Sequence, residues 1–225
     1  IIAERTKDET SPSPPEPEEP TGPVRRGVMA TLGLGYAGCS KDWCRGYRGG
    51  IGGMVELGVR LNRLMPLVSW HGGAGPYDRE TLNEEFGLST SGSRVVKTNT
   101  FGAGLWLFPL GKDDRVIDPH FGLRLGYGTV KMAYRIEDIS IRERLRRGVA
   151  TIGGGIDGFV TDHLSVGARA DMHIMFGGEY CFSASNGSAS AGSCAQSDDA
   201  ESRADPRDWP LPFSVLLQMR YTWAI

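Results

Sequence analysis

The chain has 225 residues with 25 basic and 27 acidic side chains, a formal charge of −2 that offers no basic excess to a nucleic acid. Mean hydropathy is −0.27 and no unbroken apolar run approaches the roughly 18 residues of a membrane helix. A helical membrane span is thereby excluded. A transmembrane barrel is not, because its alternating strands average to a soluble-looking hydropathy.

Residues 1–23 stand apart. Ser11-Pro12-Ser13-Pro14-Pro15-Glu16-Pro17-Glu18-Glu19-Pro20 has no apolar side chain to bury and reads as an extended, acidic, polyproline-like tether. Ile1-Ile2-Ala3 runs straight into Glu4 and Arg5, without the pattern of a signal peptide, so for an exported chain the numbering is read as starting after one. Residues 24–225 are expected to form a single folded unit.

Within that unit, period-two alternation closed by turn formers recurs eight times. The first run sets Val28, Ala30, Leu32, Leu34 and Tyr36 against Gly27, Met29, Thr31, Gly33 and Gly35. The second sets Ile51, Val55, Leu57 and Val59 against Gly52, Met54, Glu56 and Arg60, and the third Val68, Trp70 and Ala74 against Ser69, His71 and Gly73. The fourth opposes Phe101, Ala103, Leu105 and Leu107 to Thr100, Gly102, Gly104 and Trp106. In the fifth, Phe121, Leu123, Leu125 and Tyr127 face away from His120, Gly122, Arg124 and Gly126. The sixth divides Ala150, Ile152, Ile156 and Val160 from Thr151, Gly153, Gly155 and Asp157. The seventh divides Val166, Ala168, Ala170, Met172 and Ile174 from Ser165, Arg169, Asp171 and His173. The last carries Val215, Leu217, Met219, Tyr221, Trp223 and Ile225 opposite Ser214, Gln218, Arg220 and Thr222.

Connections after runs two, four and six are short, whereas those near 38–49, 76–95, 130–147 and 178–208 are long and polar. That asymmetry predicts an all-β, eight-stranded antiparallel up-and-down transmembrane barrel with short periplasmic turns and long extracellular loops. An even strand number puts both chain ends on the periplasmic side.

A soluble eight-stranded barrel also alternates, but turns its apolar face inward. Here the polar face interleaves charges with many of the 32 glycines, which suits a narrow, crowded interior. The apolar face carries no charge in mid-run, where one would cost about 2–4 kcal/mol at the bilayer midplane. The lumen is therefore expected to hold Glu56, Asp157 and Asp171 against Arg60, Arg124, Arg169 and Arg220, with His173 hydrogen-bonded among them. Aromatic girdles are expected from Trp70, Phe108, Phe121, Phe159 and Trp223 at the turn ends, and from Tyr36, Tyr127, Phe176 and Trp209 at the loop ends.

The four cysteines form two local pairs, Cys39/Cys44 and Cys181/Cys194, both in outer loops. Disulfides are expected, although four cysteines allow three connectivities. Their spacing does not fit zinc, and no metal or other cofactor is expected.

The strand count, the loop asymmetry and the closing strand Leu217-Gln218-Met219-Arg220-Tyr221-Thr222-Trp223-Ala224-Ile225 resemble the small eight-stranded outer-membrane barrels of Gram-negative bacteria, of the OmpA-transmembrane-domain and OmpX type, over about residues 26–225. The resemblance implies that Tyr221, Trp223 and Ile225 form the pattern read by the barrel-assembly machinery, with Ile where the family usually ends in Phe or Trp. It also implies an outer-membrane location and contact with outer-membrane lipid.

The role that follows is non-enzymatic: structural, adhesive or partner-binding, with the lumen plugged by ion pairs. Three alternatives are a lipid-A-modifying or protease-like barrel enzyme, a narrow small-solute pore, and a subunit of a larger envelope complex docked through the Pro-rich tail. For catalysis the candidates are Ser69 with His71 and Asp171 with His173, two residues apart and about 6–7 Å along a strand. The charged segment after run five is read as a solvated outer loop with at most a helical turn. Its Arg142, Arg144, Arg146 and Arg147 are candidate lipopolysaccharide-phosphate contacts.

Overall fold

The computed structural model of the chain describes residues 23–40, 47, 49–78, 90–110, 116–136, 138–186, 189–196 and 211–224. The Pro-rich segment 1–22, Cys44, Trp209 and Ile225 lie outside them. The described strands are β1 (Arg26–Ser40), β2 (Gly50–Leu61), β3 (Leu64–Pro76), β4 (Thr90–Leu107), β5 (Ile117–Ile136), β6 (Ile139–Phe159), β7 (Leu164–Ser185), β8 (Ser190–Gln196) and β9 (Leu211–Ala224).

All pairings are antiparallel between sequence neighbours except where β9 lies between β7 and β1, and the additional β6–β7 pairing closes the sheet. The result is a closed eight-stranded barrel. β8 is a ninth strand outside the closure: β7 pairs with β9 over Leu164–Met172 and, further along, with β8 over Glu179–Ser185. Closure leaves no free edge within the barrel wall, which is what lets strands cross a bilayer with every backbone group satisfied.

Burial is inverted relative to a water-soluble protein. Leu32, Leu34, Ile51, Leu57, Phe101, Leu125, Ile156 and Leu217 are exposed, the last at 74%, while Glu56 and Arg60 are wholly buried. The outward faces match the apolar sets read from the sequence. A strand such as β9, with 14 residues, reaches about 35 Å along the axis at the usual tilt, enough for an apolar band about 25 Å tall.

The strands are not equal. β4 to β7 have 18, 20, 21 and 22 residues, against 15, 12, 13 and 14 for β1, β2, β3 and β9. One side of the barrel therefore projects beyond the rim at the long-loop end, and β8 widens the projection. This corrects the expectation of a loop or helical turn over 130–147: β5 runs to Ile136 and β6 resumes at Ile139, paired throughout. The physical reason is that the alternation never stops. Val130, Tyr134, Ile136, Ile141 and Leu145 continue the inward phase as a buried apolar cluster with Val96, Val149 and Met175. Charges at the alternate positions hide that phase in a composition average.

Two aromatic assignments are also corrected. Phe108 is wholly buried in the lumen with Trp106, Met29, Met65 and Leu67, and Phe159 lies under the Arg25 guanidinium at 5.2 Å. Both rings fill the lumen at the short-turn end instead of joining the outer girdle. Arg60 and Arg220 stack over Phe108 at 3.8 and 5.3 Å, which gives the ring a cationic partner that lipid would not supply.

Candidate functional site: the filled lumen and the projecting sheet

Inward positions of β5, read from the short-turn end, set the order of the lumen layers: Asp118, His120, Arg124, Gly128, Val130, Tyr134. At the bottom, Asp118 accepts from Arg25 at 2.9 Å and from Arg60. Val24 N–H donates to Asp162 O at 2.8 Å, so the chain entering β1 is fixed against the β6–β7 turn. Above lies a second group in which Asp157 accepts from Arg220 and from Gln218 Nε2 at 2.6 Å, while Arg220 Nε donates to Thr31 at 3.2 Å.

The centre is a closed ring of four charges. Arg124 donates to Glu56 and to Asp171, each at 2.6 Å; Arg169 donates to Glu56 at 2.6 Å and to Asp171 at 2.7 Å. Trp106 donates to the same Glu56 at 3.2 Å, and the Arg169 guanidinium stands 4.4 Å from its ring centroid. Two cations bridged by two anions leave the ring neutral. Each carboxylate oxygen has a donor, the condition under which buried ion pairs are tolerated. The ring also needs room: a Cβ on Gly153 would lie 1.9 Å from the Asp171 carboxylate.

Past the ring, Arg124 donates to His71 Nε2 at 2.6 Å, and His173 pairs with the Thr151 hydroxyl at 2.8 Å. The two imidazoles meet edge to face at 5.2 Å. His71 and His173, with Ser69, are thus buried between the charged ring and the apolar cluster of the projection. Voids bordered by these lumen side chains are about 20 Å³ beside His71 and His173 and about 10 Å³ beside Ser69 and Thr151, room for a water molecule at most.

All eight sequence-derived lumen residues face inward: Glu56, Arg60, Arg124, Asp157, Arg169, Asp171, His173 and Arg220. Trp106 and His120 are buried on the polar face to which the alternation assigned them; the reading missed Arg25 and above all Asp118, the only carboxylate that Arg60 contacts among the described residues. Carrying the inward phase of β5 two residues earlier reaches Asp118. Carrying the inward phase of β1 two residues before Gly27 reaches Arg25 in the same way.

Cys181 and Cys194 are bonded to each other and stand directly opposite on β7 and β8. Cys39 is also disulfide-bonded. The four arginines of β6 divide. Arg142, Arg144 and Arg146 point outward, whereas Arg147 is 4% exposed and points inward, so it does not share their face. Opposite Arg147 lies a bulge. Arg146 pairs with Glu179 and Gly148 with Phe176, so one residue faces both Gly177 and Gly178, at φ +55° and +108°. The bulge switches the phase of β7 and turns Glu179, Cys181 and Ser183 outward.

At the long-loop end, Tyr47 bridges to Tyr77 and its hydroxyl donates to Ala37 O at 3.3 Å. Burial, then the neighbouring Tyr36, push the Tyr47 hydroxyl pKa up. Of the assembly-signal residues, Tyr221 and Trp223 are outward and packed edge to face at 4.8 Å.

No family model matches the sequence, and no curated protein matches it by sequence. Solved structures do match. A major outer membrane protein of Thermus thermophilus superposes with a TM-score of 0.66 at 11% identity, covering 89% of this chain and all of that one. Neisserial surface protein A gives 0.54 at 12% identity over 88% and 97% of the two chains. Ail, the attachment invasion locus protein of Yersinia pestis, solved in complex with the heparin analogue sucrose octasulfate, gives 0.52 at 11% identity over 89% and 100%. The chain thus has the fold of the small eight-stranded outer-membrane β-barrels.

Proposed function

We propose that the protein is a closed, non-enzymatic barrel of the bacterial outer membrane that works by structure and surface interaction. The observation that carries this reading is the lumen: ion pairs, Trp106 and Phe108 fill it, and the apolar cluster of the projection caps it. A pore needs a continuous wet path, and a hydrolytic or acyl-transfer site needs substrate access. Neither is available at Ser69, His71, Asp171 or His173, all at most 6% exposed.

In this reading the short-turn end, with both chain termini, faces the periplasm. The projecting β4–β8 sheet stands outside the cell, where it meets lipopolysaccharide or a protein partner. Residues 1–23 lie on the periplasmic side, where an envelope partner would meet them. Tyr221, Trp223 and Ile225 present the assembly signal during biogenesis. That a barrel of this fold, Ail, has been crystallised with a sulfated saccharide analogue supports a surface-binding role for the exposed end.

The test is reconstitution of the full chain in planar bilayers, with heat-modifiable gel migration as the check that the barrel has formed. The folded protein is expected to give no stable conductance steps. Reproducible open levels from heat-modifiable protein would overturn the reading.

A further inference from the structure

The outward face of the projection carries a row of cations that the barrel fold does not require. Lys97 on β4 stands directly opposite Lys131 on β5, and Lys131 directly opposite Arg144 on β6. Like charges directly opposite on neighbouring strands repel, and no carboxylate interrupts this row. Arg142 and Arg146 extend it by one outward position on either side of Arg144. Of these five, Arg146 has an acidic neighbour, Glu179 at 3.7 Å.

The row lies in a concavity of about 790 Å³ on the outward face of β4 to β8. Its far wall is Gly192–Cys194 of β8, held to β7 by the Cys181–Cys194 bond. The concavity is therefore built, with a fixed wall and a net charge of plus three counted over Lys97, Lys131, Arg142, Arg144, Arg146, Glu143 and Glu179, all of which line it.

Height selects the ligand. Four residues back along β4 and β5, the same outward face presents Phe101 opposite Tyr127, with Phe176 on β7 in the same cross-strand row. All three rings are exposed, as expected of side chains at the level where hydrocarbon meets headgroups. Lys97 and Lys131 stand about 13 Å beyond them along the strands, and Arg146 about 7 Å beyond Gly148 of that row. Anions fixed at that height on an outer leaflet are the phosphates of its glycolipid.

We infer that this concavity binds the phosphorylated sugar headgroup of an outer-leaflet glycolipid. Lys97, Lys131 and Arg144 take one phosphate, and Arg142 and Arg146 a second. The inference rests on the outer-membrane reading above and gives its lipid contact a site. It replaces the inward Arg147 with Lys97 and Lys131.

The test uses the full chain, purified in detergent and shown to be heat-modifiable. It is titrated with bisphosphorylated lipid A, with the same lipid after phosphatase treatment, and with sucrose octasulfate as a soluble polyanion. The bisphosphorylated lipid is expected to bind at least about tenfold more tightly than its dephosphorylated form, with affinity falling as salt rises. The double substitution Lys131→Ala/Arg144→Ala is expected to remove that preference, whereas Arg63→Ala, in the β2–β3 turn at the opposite end, leaves it intact. The comparison of lipids on the unsubstituted chain needs no variant to fold. Equal binding of the two lipids by a heat-modifiable barrel overturns the inference alone, as does tighter binding of the soluble polyanion than of lipid A. A chain that does not insert as a barrel overturns the outer-membrane reading with it.

Discussion

Glu56 is the side chain on which the lumen ring depends most. It is wholly buried and accepts from Arg124, Arg169 and Trp106. Glu56→Gln keeps the volume and an acceptor for Trp106, but turns a neutral ring of two cations and two anions into one carrying a single positive charge. It also sets an amide NH2 against a guanidinium. Two charge-assisted hydrogen bonds at about 1.5–3 kcal/mol each, or one buried ion pair broken from one side at about 3–5 kcal/mol, bracket the same cost. A loss of about 4 kcal/mol is expected, read as a lowered urea midpoint for unfolding in micelles followed by tryptophan fluorescence and gel migration. Adding Arg169→Met restores neutrality, so the double variant is expected to lose less than the sum of the single losses by more than about 1 kcal/mol. A Glu56→Gln loss under about 1 kcal/mol, the range of an exposed pair, would show that water screens the ring and that the lumen is not closed.

Gly153→Ala places a methyl group on the Asp171 carboxylate and the rim of Trp106, at 1.9 and 3.1 Å before relaxation. A loss of about 1–3 kcal/mol is expected in the same unfolding assay, and an unchanged midpoint would mean that Asp171 moves away freely. Orientation is checked by a single cysteine at either end of the barrel. Asp138→Cys, in the β5–β6 turn, is expected to react with a membrane-impermeant maleimide on intact cells. Asn62→Cys, in the β2–β3 turn, is expected to react only after the outer membrane is opened. The reverse pattern would invert the proposed topology.

Much of this protein was written in its sequence, because side-chain phase along a strand is set by the strand's own backbone. A period of two assigned Leu32, Leu57, Leu125 and Leu217 to one face and Glu56, Arg124, Asp171 and Arg220 to the other, without knowledge of any partner strand. The glycine and charge content of the second face then marked it as interior. Where the phase was masked, over 130–147, the same rule still held. Val130, Tyr134, Ile141 and Leu145 kept alternating beneath Lys131, Arg142, Arg144 and Arg146.

Only the closed barrel decided which interior charges meet. Arg169 finds Glu56 across 113 residues and Arg25 finds Asp118 across 93. Those distances depend on strand order, stagger and closure, which no local stretch encodes. Closure likewise drew Phe108 and Phe159 inward to cover arginines, and the Gly177–Gly178 bulge turned Cys181 outward by adding one residue to a single strand. Phase is a local property of extended backbone. Partnership is a property of the ring that eight strands make together.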